Sequence, residues 1–183
     1  WGQKFEPLSV MIYEDKYGTK IEDFGCIQHD KHSFLGASPD GINVDKTSLR
    51  YGRMLEIKNI VNREIDGVPK LEYWVQMQLQ METCDLDECD FVETRFLEYE
   101  SESAFNEDDS DSVEYKGLIM YFTQDGRPIY KYAPLHLSGE ELVAWEAEQH
   151  EQTEHVWIRN IYWKVDEFSC VLVQRNQRWF QDN

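Results

Sequence analysis

The sequence has no long hydrophobic run, few cysteines and a shortage of basic residues. Its apolar stretches are much shorter than the roughly 20 residues that a membrane-spanning helix needs, so no such helix is predicted. The sequence shows no charged segment followed by an apolar segment, so no secretion signal is predicted. The four cysteines form no C-x-x-C pair, and the spacing of Cys84 and Cys89 matches no common zinc or iron–sulfur pattern. We therefore expect an intracellular protein with reduced thiols and no membrane contact.

Acidic residues outnumber basic residues by 36 to 18, which gives a formal net charge of -18. This charge disfavours a protein that holds nucleic acid non-specifically, because that mode of binding needs a basic surface. The acidity is regional, however. Residues 98–114 contain eight acids and no Lys or Arg, whereas the window from Lys46 to Lys70 contains six bases and three acids. One locally cationic surface therefore remains available.

The order of the predicted elements is that of an α/β protein. The N-terminal part favours a helix over 4–13, strands over 21–28, 34–44 and 51–60, a helix over 72–83 and a strand over 91–97. Residues 98–114 read as a flexible acidic loop, which either limits binding to nucleic acid or docks a basic partner. The remainder favours a hairpin over 117–122 and 129–132 with an Asp125-Gly126 turn, a helix over 138–155 begun by a Ser138/Glu141 capping box, and strands near 161–165 and 170–173.

Two short motifs combine into a possible metal site. Asp40 lies in a Ser-Pro-Asp-Gly sequence, and Glu56-Ile57-Lys58 follows on the next predicted strand. A connection centred near Ser48 places Asp40 opposite Glu56, with Cβ atoms about 4.5–5.5 Å apart. Glu56 and Lys58 share one face of their strand because side chains alternate. Two carboxylates so close repel each other, and a divalent cation between them removes that cost.

The donor types in these motifs suit phosphodiester hydrolysis. Carboxylate oxygens and the backbone carbonyl of Ile57 are hard ligands of the kind that Mg²⁺ or Mn²⁺ prefers. The Lys58 ammonium group can neutralise charge that develops on a phosphate or position the attacking water. The alternative is structural: Asp40 in an ordinary turn, with Glu56 and Lys58 a surface pair on an edge strand. The joint spacing favours the site.

The flanking helices add candidates. Gln76 and Gln78 are about 200° apart on one helix, so only one can face the site, and we predict Gln76. The alternative is a solvated amide face over a core of Met and Trp. Glu6, on the first helix, is a candidate further metal ligand; the alternative is an acid that stabilises a helix N-terminus.

These residues resemble the PD-(D/E)XK nuclease superfamily and, within it, the lambda-exonuclease/YqaJ viral recombinase family of alkaline exonucleases from phages and large DNA viruses. The resemblance covers about residues 1–97. Its motifs are Gly2 with Glu6 and Tyr13, the sequence LGASPDG over 35–41, Glu56-Ile57-Lys58, and Tyr73-x-x-Gln76-x-Gln78. It implies a restriction-endonuclease-like αβββαβ core of mixed α/β class over 1–97. The acidic loop would span 98–116, and residues 117–183 would extend the same domain. We expect that an N-terminal part of the full protein precedes Trp1.

The resemblance also implies an activity, namely 5′-to-3′ degradation of one strand of duplex DNA in recombination, repair or replication. Two Mg²⁺ or Mn²⁺ ions would be held by Asp40, Glu56, the Ile57 carbonyl and Glu6, with Lys58 and Gln76 completing the catalytic set. We predict DNA contacts at Ser38, Arg53, Arg63 and Tyr73.

The expected partners are a DNA duplex with an end, a single-strand-annealing protein and further copies of the chain. A viral member would work in the host cytoplasm or nucleus, where viral DNA is replicated. The Arg and Ser with which family members hold a 5′-phosphate lie upstream of Trp1, so polarity rests on the resemblance alone. The alternatives are an endonuclease or RNase on the same core, and an inactive nuclease fold that serves as a protein-interaction module. The complete acid, acid and lysine set argues against the last.

Overall fold

The computed structural model describes residues 2–25, 27–31, 36–109 and 112–183, which form a mixed α/β structure. The helices are α1 (Gly2–Tyr17), α2 (Leu71–Cys84), α3 (Glu102–Glu107), α4 (Gly139–Gln152) and α5 (Gln177–Asp182). The strands are β1 (Ile21–Glu22), β2 (Ile27–Gln28), β3 (Gly36–Ala37), β4 (Gly41–Asn43), β5 (Met54–Asn59), β6 (Glu88–Glu98), β7 (Lys116–Gln124), β8 (Arg127–Tyr132) and β9 (Val156–Gln174). None of the helices in this part of the chain has the length and apolar character to cross a membrane.

Seven strands form one sheet in the order β1-β4-β5-β6-β9-β7-β8, and β2 pairs with β3 in a separate two-stranded sheet. The succession α1, β1, β4, β5, α2, β6 is the predicted αβββαβ core, with β2 and β3 inserted. In the β4–β5 hairpin Gly41 lies opposite Leu55 and Ile42 opposite Met54, which is the predicted register. Helix α2 then carries the chain over the sheet, so that β6 runs parallel to β5.

The two main helices cover different faces of β5. Leu55 packs in a cluster with Tyr13 of α1, whereas Met54 packs against α2. Because side chains alternate along a strand, Glu56 and Lys58 project on the same face as Met54. The Nζ atom of Lys58 lies 3.1 Å from Oε1 of Glu56, as the predicted sharing of one face requires.

A single long strand links the two parts of the sheet, where we predicted two short strands. The C-terminal half of β9 pairs with β6, and its N-terminal half pairs with β7. The acidic residues between the two predicted strands are accommodated within one strand because Arg95 of β6 forms ion pairs with Asp166 at 3.7 Å and Glu167 at 3.2 Å. The prediction of separate strands is wrong for this reason.

The strand predicted over 21–28 is also wrong, because the chain turns between β1 and β2. The Oδ1 atom of Asp23 accepts the N–H of Gly25 at 2.7 Å, and Gly25 has a φ of 68°, a conformation that interrupts a strand. The next predicted strand, over 34–44, is likewise divided between β3 and β4 in different sheets. Its residues 34 and 35 lie outside the described residues.

Part of the acidic segment predicted as a flexible loop is helical. The Oγ atom of Ser101 caps α3 by accepting the N–H of Ala104 at 3.0 Å. Phe105 is buried, with its ring 5.0 Å from that of Tyr162. Lys116 donates to the backbone carbonyl of Asp108 at 2.7 Å. The loop prediction is therefore wrong for Glu102–Glu107, because one aromatic ring anchors the segment to the sheet.

Two local predictions in the C-terminal part are confirmed. Asp125 and Gly126, with φ values of 51° and 77°, form the turn between β7 and β8. Ser138 and Glu141 form the capping box that begins α4.

Candidate active site

Asp40 and Glu56 lie next to each other just beyond the paired residues Gly41 of β4 and Leu55 of β5. The Oδ2 atom of Asp40 accepts the N–H of Ile57 at 2.6 Å, which sets the carboxylate beside the neighbouring Glu56. Glu56 is only 3% exposed. Its pKa is raised to about 7, first because burial removes water from the carboxylate and then because of the charge of Asp40, while Lys58 acts in the opposite direction. The structure therefore brings the two predicted acids together.

A third predicted acid joins them from α1. Glu6 and Asp40 line one cavity of about 310 Å³. The pKa of Glu6 is raised to about 7 by burial, by a hydrogen bond to Asp40 and by the charges of Asp40, Glu56 and Asp23. Asp23 lines the same cavity, although the sequence analysis did not select it. No sequence motif around Asp23 indicates a role in the site, because only the pairing of β1 with β4 brings this residue there.

The lysine of the motif is held between two neighbours. The Nζ atom of Lys58 lies 3.1 Å from Oε1 of Glu56 and 4.6 Å from the ring centroid of Tyr73 on α2, a cation–π contact. Tyr73, which we predicted to contact DNA, thus contacts Lys58. Together the carboxylate and the ring orient the ammonium group toward the acids.

The donor set fits a hard divalent cation. The N–H and C=O of one strand residue point to the same side, so the carbonyl of Ile57 points to the side on which its N–H meets Asp40. Among the described residues, no three Asp, Glu, His or Cys side chains converge into a group that could hold a metal ion unaided. Mg²⁺ needs only one or two carboxylates because it keeps several water ligands. Asp40 and Glu56 supply these, with Glu6 close by.

Two of the helix α2 glutamines have different surroundings. Gln78 is buried; its Nε2 donates to the carbonyl of Gln174 at 2.9 Å, and its Oε1 accepts the N–H of the residue that caps α5 at 2.7 Å. Gln76 is exposed and lines a second cavity, of about 370 Å³, together with Ser38. Gln78 therefore ties helices and sheet together, and Gln76 is the one that faces the predicted Ser38 contact.

Gln80 is a polar residue of the same cavity that we did not predict as part of the site. It is buried, and its Oε1 has no hydrogen-bond partner among the described residues. Its position four residues after Gln76 on one helix face is the signal that could have indicated it.

The two arginines predicted to contact DNA are paired with acids of β6. Arg53 lies 3.1 Å from Asp90 and also pairs with Glu88, and Arg63 pairs with Glu93. Asp90 and Glu93 are almost fully buried. The cationic surface expected from the Lys46–Lys70 window is therefore reduced, because these guanidinium groups neutralise buried carboxylates. Their contact with DNA stays a prediction.

The mixed sheet and its helices form a nuclease-like fold, which confirms the predicted fold class. The crystal structure of LHK-Exo in complex with dAMP matches 99% of this chain and 60% of its own chain, with 19% identity and a TM-score of 0.50. The structure of an alkaline exonuclease (LHK-Exo) from Laribacter hongkongensis matches 82% of this chain and 68% of its own, with 23% identity and a TM-score of 0.45.

Residues 1–87 match the YqaJ-like viral recombinase domain. The predicted resemblance is therefore confirmed over the residues that carry Glu6, Asp40, Glu56, Lys58 and Gln76. An uncharacterised protein of Acanthamoeba polyphaga mimivirus is 28% identical over 221 aligned positions, which cover 99% of this chain and 40% of that protein. The chain thus spans about two fifths of the length of this curated relative.

Proposed function

We propose that this chain acts as a metal-dependent exonuclease that hydrolyses phosphodiester bonds of duplex DNA from an end, in the 5′-to-3′ direction. The observation that carries the proposal is the pairing of Asp40 with Glu56 beside Lys58, with Glu6 of α1 hydrogen-bonded to Asp40. The raised pKa values of Glu6 and Glu56 support it, because burial and then the charge of neighbouring carboxylates make their ionised forms costly, a cost that a bound cation would offset. The match of residues 1–87 to the viral recombinase domain and the nuclease-like fold support the same reaction class.

The proposal assigns a role to each group. Asp40, Glu56, the Ile57 carbonyl and Glu6 would hold two Mg²⁺ or Mn²⁺ ions, which supply polarisation of the phosphodiester and a lowered pKa of bound water. Water adds to phosphorus, the bond from phosphorus to the leaving deoxyribose oxygen breaks, and that oxygen takes up a proton. Lys58 stabilises the negative charge that develops on the phosphoryl oxygens or orients the water.

The DNA strand would run past the second cavity, where Ser38 and Gln76 offer polar contacts. Tyr73 would act mainly by orienting Lys58. For a viral protein this reaction belongs to recombination, repair or replication in the infected cell, with a single-strand-annealing protein to take up the exposed strand.

The test is a cleavage assay on linear duplexes labelled at the 5′ or the 3′ end, on circular duplex and on RNA, with Mg²⁺ or with EDTA. We expect Mg²⁺-dependent degradation of linear duplex from its 5′ end, and no cleavage of circles or RNA. Glu56→Gln should lower the rate at least about a hundredfold. The matched control is Glu64→Gln, which makes the same change at an exposed position and should leave the rate unchanged.

Other outcomes would redirect the assignment. Cleavage of circles would indicate an endonuclease, and cleavage of RNA an RNase. A folded protein that cleaves none of these substrates with Mg²⁺ or Mn²⁺ would contradict the proposal and favour an interaction module.

A further inference from the structure

A groove of about 520 Å³ lies between α3 and α4 and shares no residue with the proposed active site. Phe105 and Tyr162 form its floor, above the core cluster to which both belong. Leu142 and Val143 of α4 form one apolar wall. The groove is thus a concave apolar surface built on the extension that follows β6.

Helix α4 leaves apolar side chains exposed at this groove. None of its residues is buried, and Val143 is 61% exposed. At the start of β9, Trp157 is exposed, and its ring lies 5.5 Å from that of His150 on α4. Trp157 donates to Asn160 at 2.9 Å, and Asn160 donates to Glu146 on the groove at 2.7 Å. Exposed apolar side chains in a concave surface with polar side chains around them are a feature of protein-binding sites.

The wall of the groove is acidic. Glu102, Glu140 and Glu146 line it, and none of the described lining residues is Lys, Arg or His. The pKa of Tyr162 is raised, first by burial and further by the charges of Glu146 and Glu102, so both carboxylates act on the floor of the groove. The helix itself carries five acids and no Lys or Arg.

We propose that this groove binds a basic amphipathic helical segment of a partner protein. Apolar side chains at positions i, i+3, i+4 and i+7 of such a segment would fill the floor, as in other helix-in-groove complexes, and flanking Lys or Arg would pair with the acidic wall. The same acids disfavour nucleic acid as the occupant. The net charge of -18 disfavours a second copy of this chain, because two such molecules repel. The inference stands apart from the proposed nuclease reaction, since it uses none of its residues.

A designed peptide tests the proposal. The probe is a fluorescein-labelled helix of about 18 residues that carries leucines on one face and lysines on the other. Its binding is followed by fluorescence anisotropy at about 0.15 M salt, which screens non-specific attraction. A peptide of the same composition, with the leucines spread around the helix, is the control. We expect the control peptide to bind at least about tenfold more weakly.

Variants locate the binding surface. Val143→Arg and Glu140→Lys change exposed residues of the groove and should weaken binding about tenfold. Glu151→Lys makes the same charge change at an exposed position of α4 outside the groove, and it should change binding less than about twofold. Thermal unfolding by circular dichroism verifies that each variant folds, and Val143→Arg should leave DNA cleavage unchanged.

Three results would overturn the proposal. Equal binding of the two peptides, or equal effects of Glu140→Lys and Glu151→Lys, would show simple charge attraction. Displacement of the bound peptide by duplex DNA would make the groove a nucleic-acid surface. A dimer in sedimentation that Val143→Arg abolishes would make a second copy the occupant.

Discussion

The metal-free protein should lose stability as the pH rises from about 4.5 to 7, and Glu56 is a principal cause. Its pKa is about 7 in the folded chain, against an ordinary value of 4.5. Between these values the folded state keeps a proton that the unfolded chain has released, so a rise in pH favours unfolding. Above about pH 7, Glu56 is ionised in both the folded and the unfolded chain, so the loss of stability from this group no longer changes with pH.

The size of the loss follows from the shift. One pKa unit corresponds to about 1.4 kcal/mol, so the upper limit for Glu56 is about 3 kcal/mol at pH 8. Glu6 shifts in the same direction but contributes less, because solvent screens its partly exposed carboxylate. Glu56→Gln, which cannot ionise, should therefore stabilise the metal-free protein by about 1–3 kcal/mol at pH 8. For a chain of this size the gain corresponds to about 3–10 °C in Tm.

The measurement is thermal unfolding by circular dichroism at pH 5 and pH 8, in EDTA and in Mn²⁺. The readout is the difference in Tm between wild type and variant, because ionisable groups elsewhere titrate alike in both proteins. Glu56→Gln should raise Tm at pH 8 and not at pH 5, and Glu64→Gln should change neither. Mn²⁺ should stabilise wild type more than Glu56→Gln at pH 8. The reasoning is refuted if Glu56→Gln is no more stable than wild type at pH 8 in EDTA.

Three further substitutions test other parts of the argument. Lys58→Ala should lower cleavage at least about a hundredfold with little effect on folding, as measured by turnover on linear duplex and by circular dichroism; turnover close to wild type would remove Lys58 from the catalytic set. Asp90→Asn should lower the free energy of unfolding in urea by about 3 kcal/mol, because the buried carboxylate accepts a hydrogen bond from Tyr13 at 2.5 Å and pairs with two arginines. An unchanged urea midpoint would contradict this expectation. Gly41→Ala should cost about 1–3 kcal/mol and lower cleavage as well, because its Cβ would overlap Cγ2 of Ile21 and push β1 away from β4, which directly follows Asp40. Wild-type stability with full activity would show that the two strands separate without consequence.

The register that joins Asp40 to Glu56 was predictable because local chemistry determines it. The N–H of Ser48 donates to the carbonyl of Asp45 at 3.0 Å, and this turn fixes the length of the connection. With a side-chain period of two, the length of the connection decides which residues face each other. The capping box of α4 was predictable for the same reason, since its partners are three residues apart.

Pairings between distant segments were not predictable from one sequence. The bases of the Lys46–Lys70 window suggested a cationic surface, but Arg53 and Arg63 meet acids that lie 30 or more residues further along the chain. From the sequence alone, Asp90 and Glu93 would be expected to lie on the surface, although both are buried. Only the parallel pairing of β5 and β6 buries these acids and brings them beside the window.

Whether a carboxylate of this protein stabilises the fold or favours cation binding depends on the groups around it and not on the net charge. On β6, Asp90 has two arginines and a tyrosine hydroxyl around it, so its charge is satisfied and stabilises the sheet. On α4, Glu140 lies in solvent, where water satisfies its charge. Before the start of β4, Asp40, Glu56 and Glu6 have Lys58 close to them, and two of the three acids have pKa values raised to about 7. This last group gains from an added divalent cation. A strongly acidic protein can therefore still offer a specific site to a divalent ion and, through that ion, to a phosphodiester.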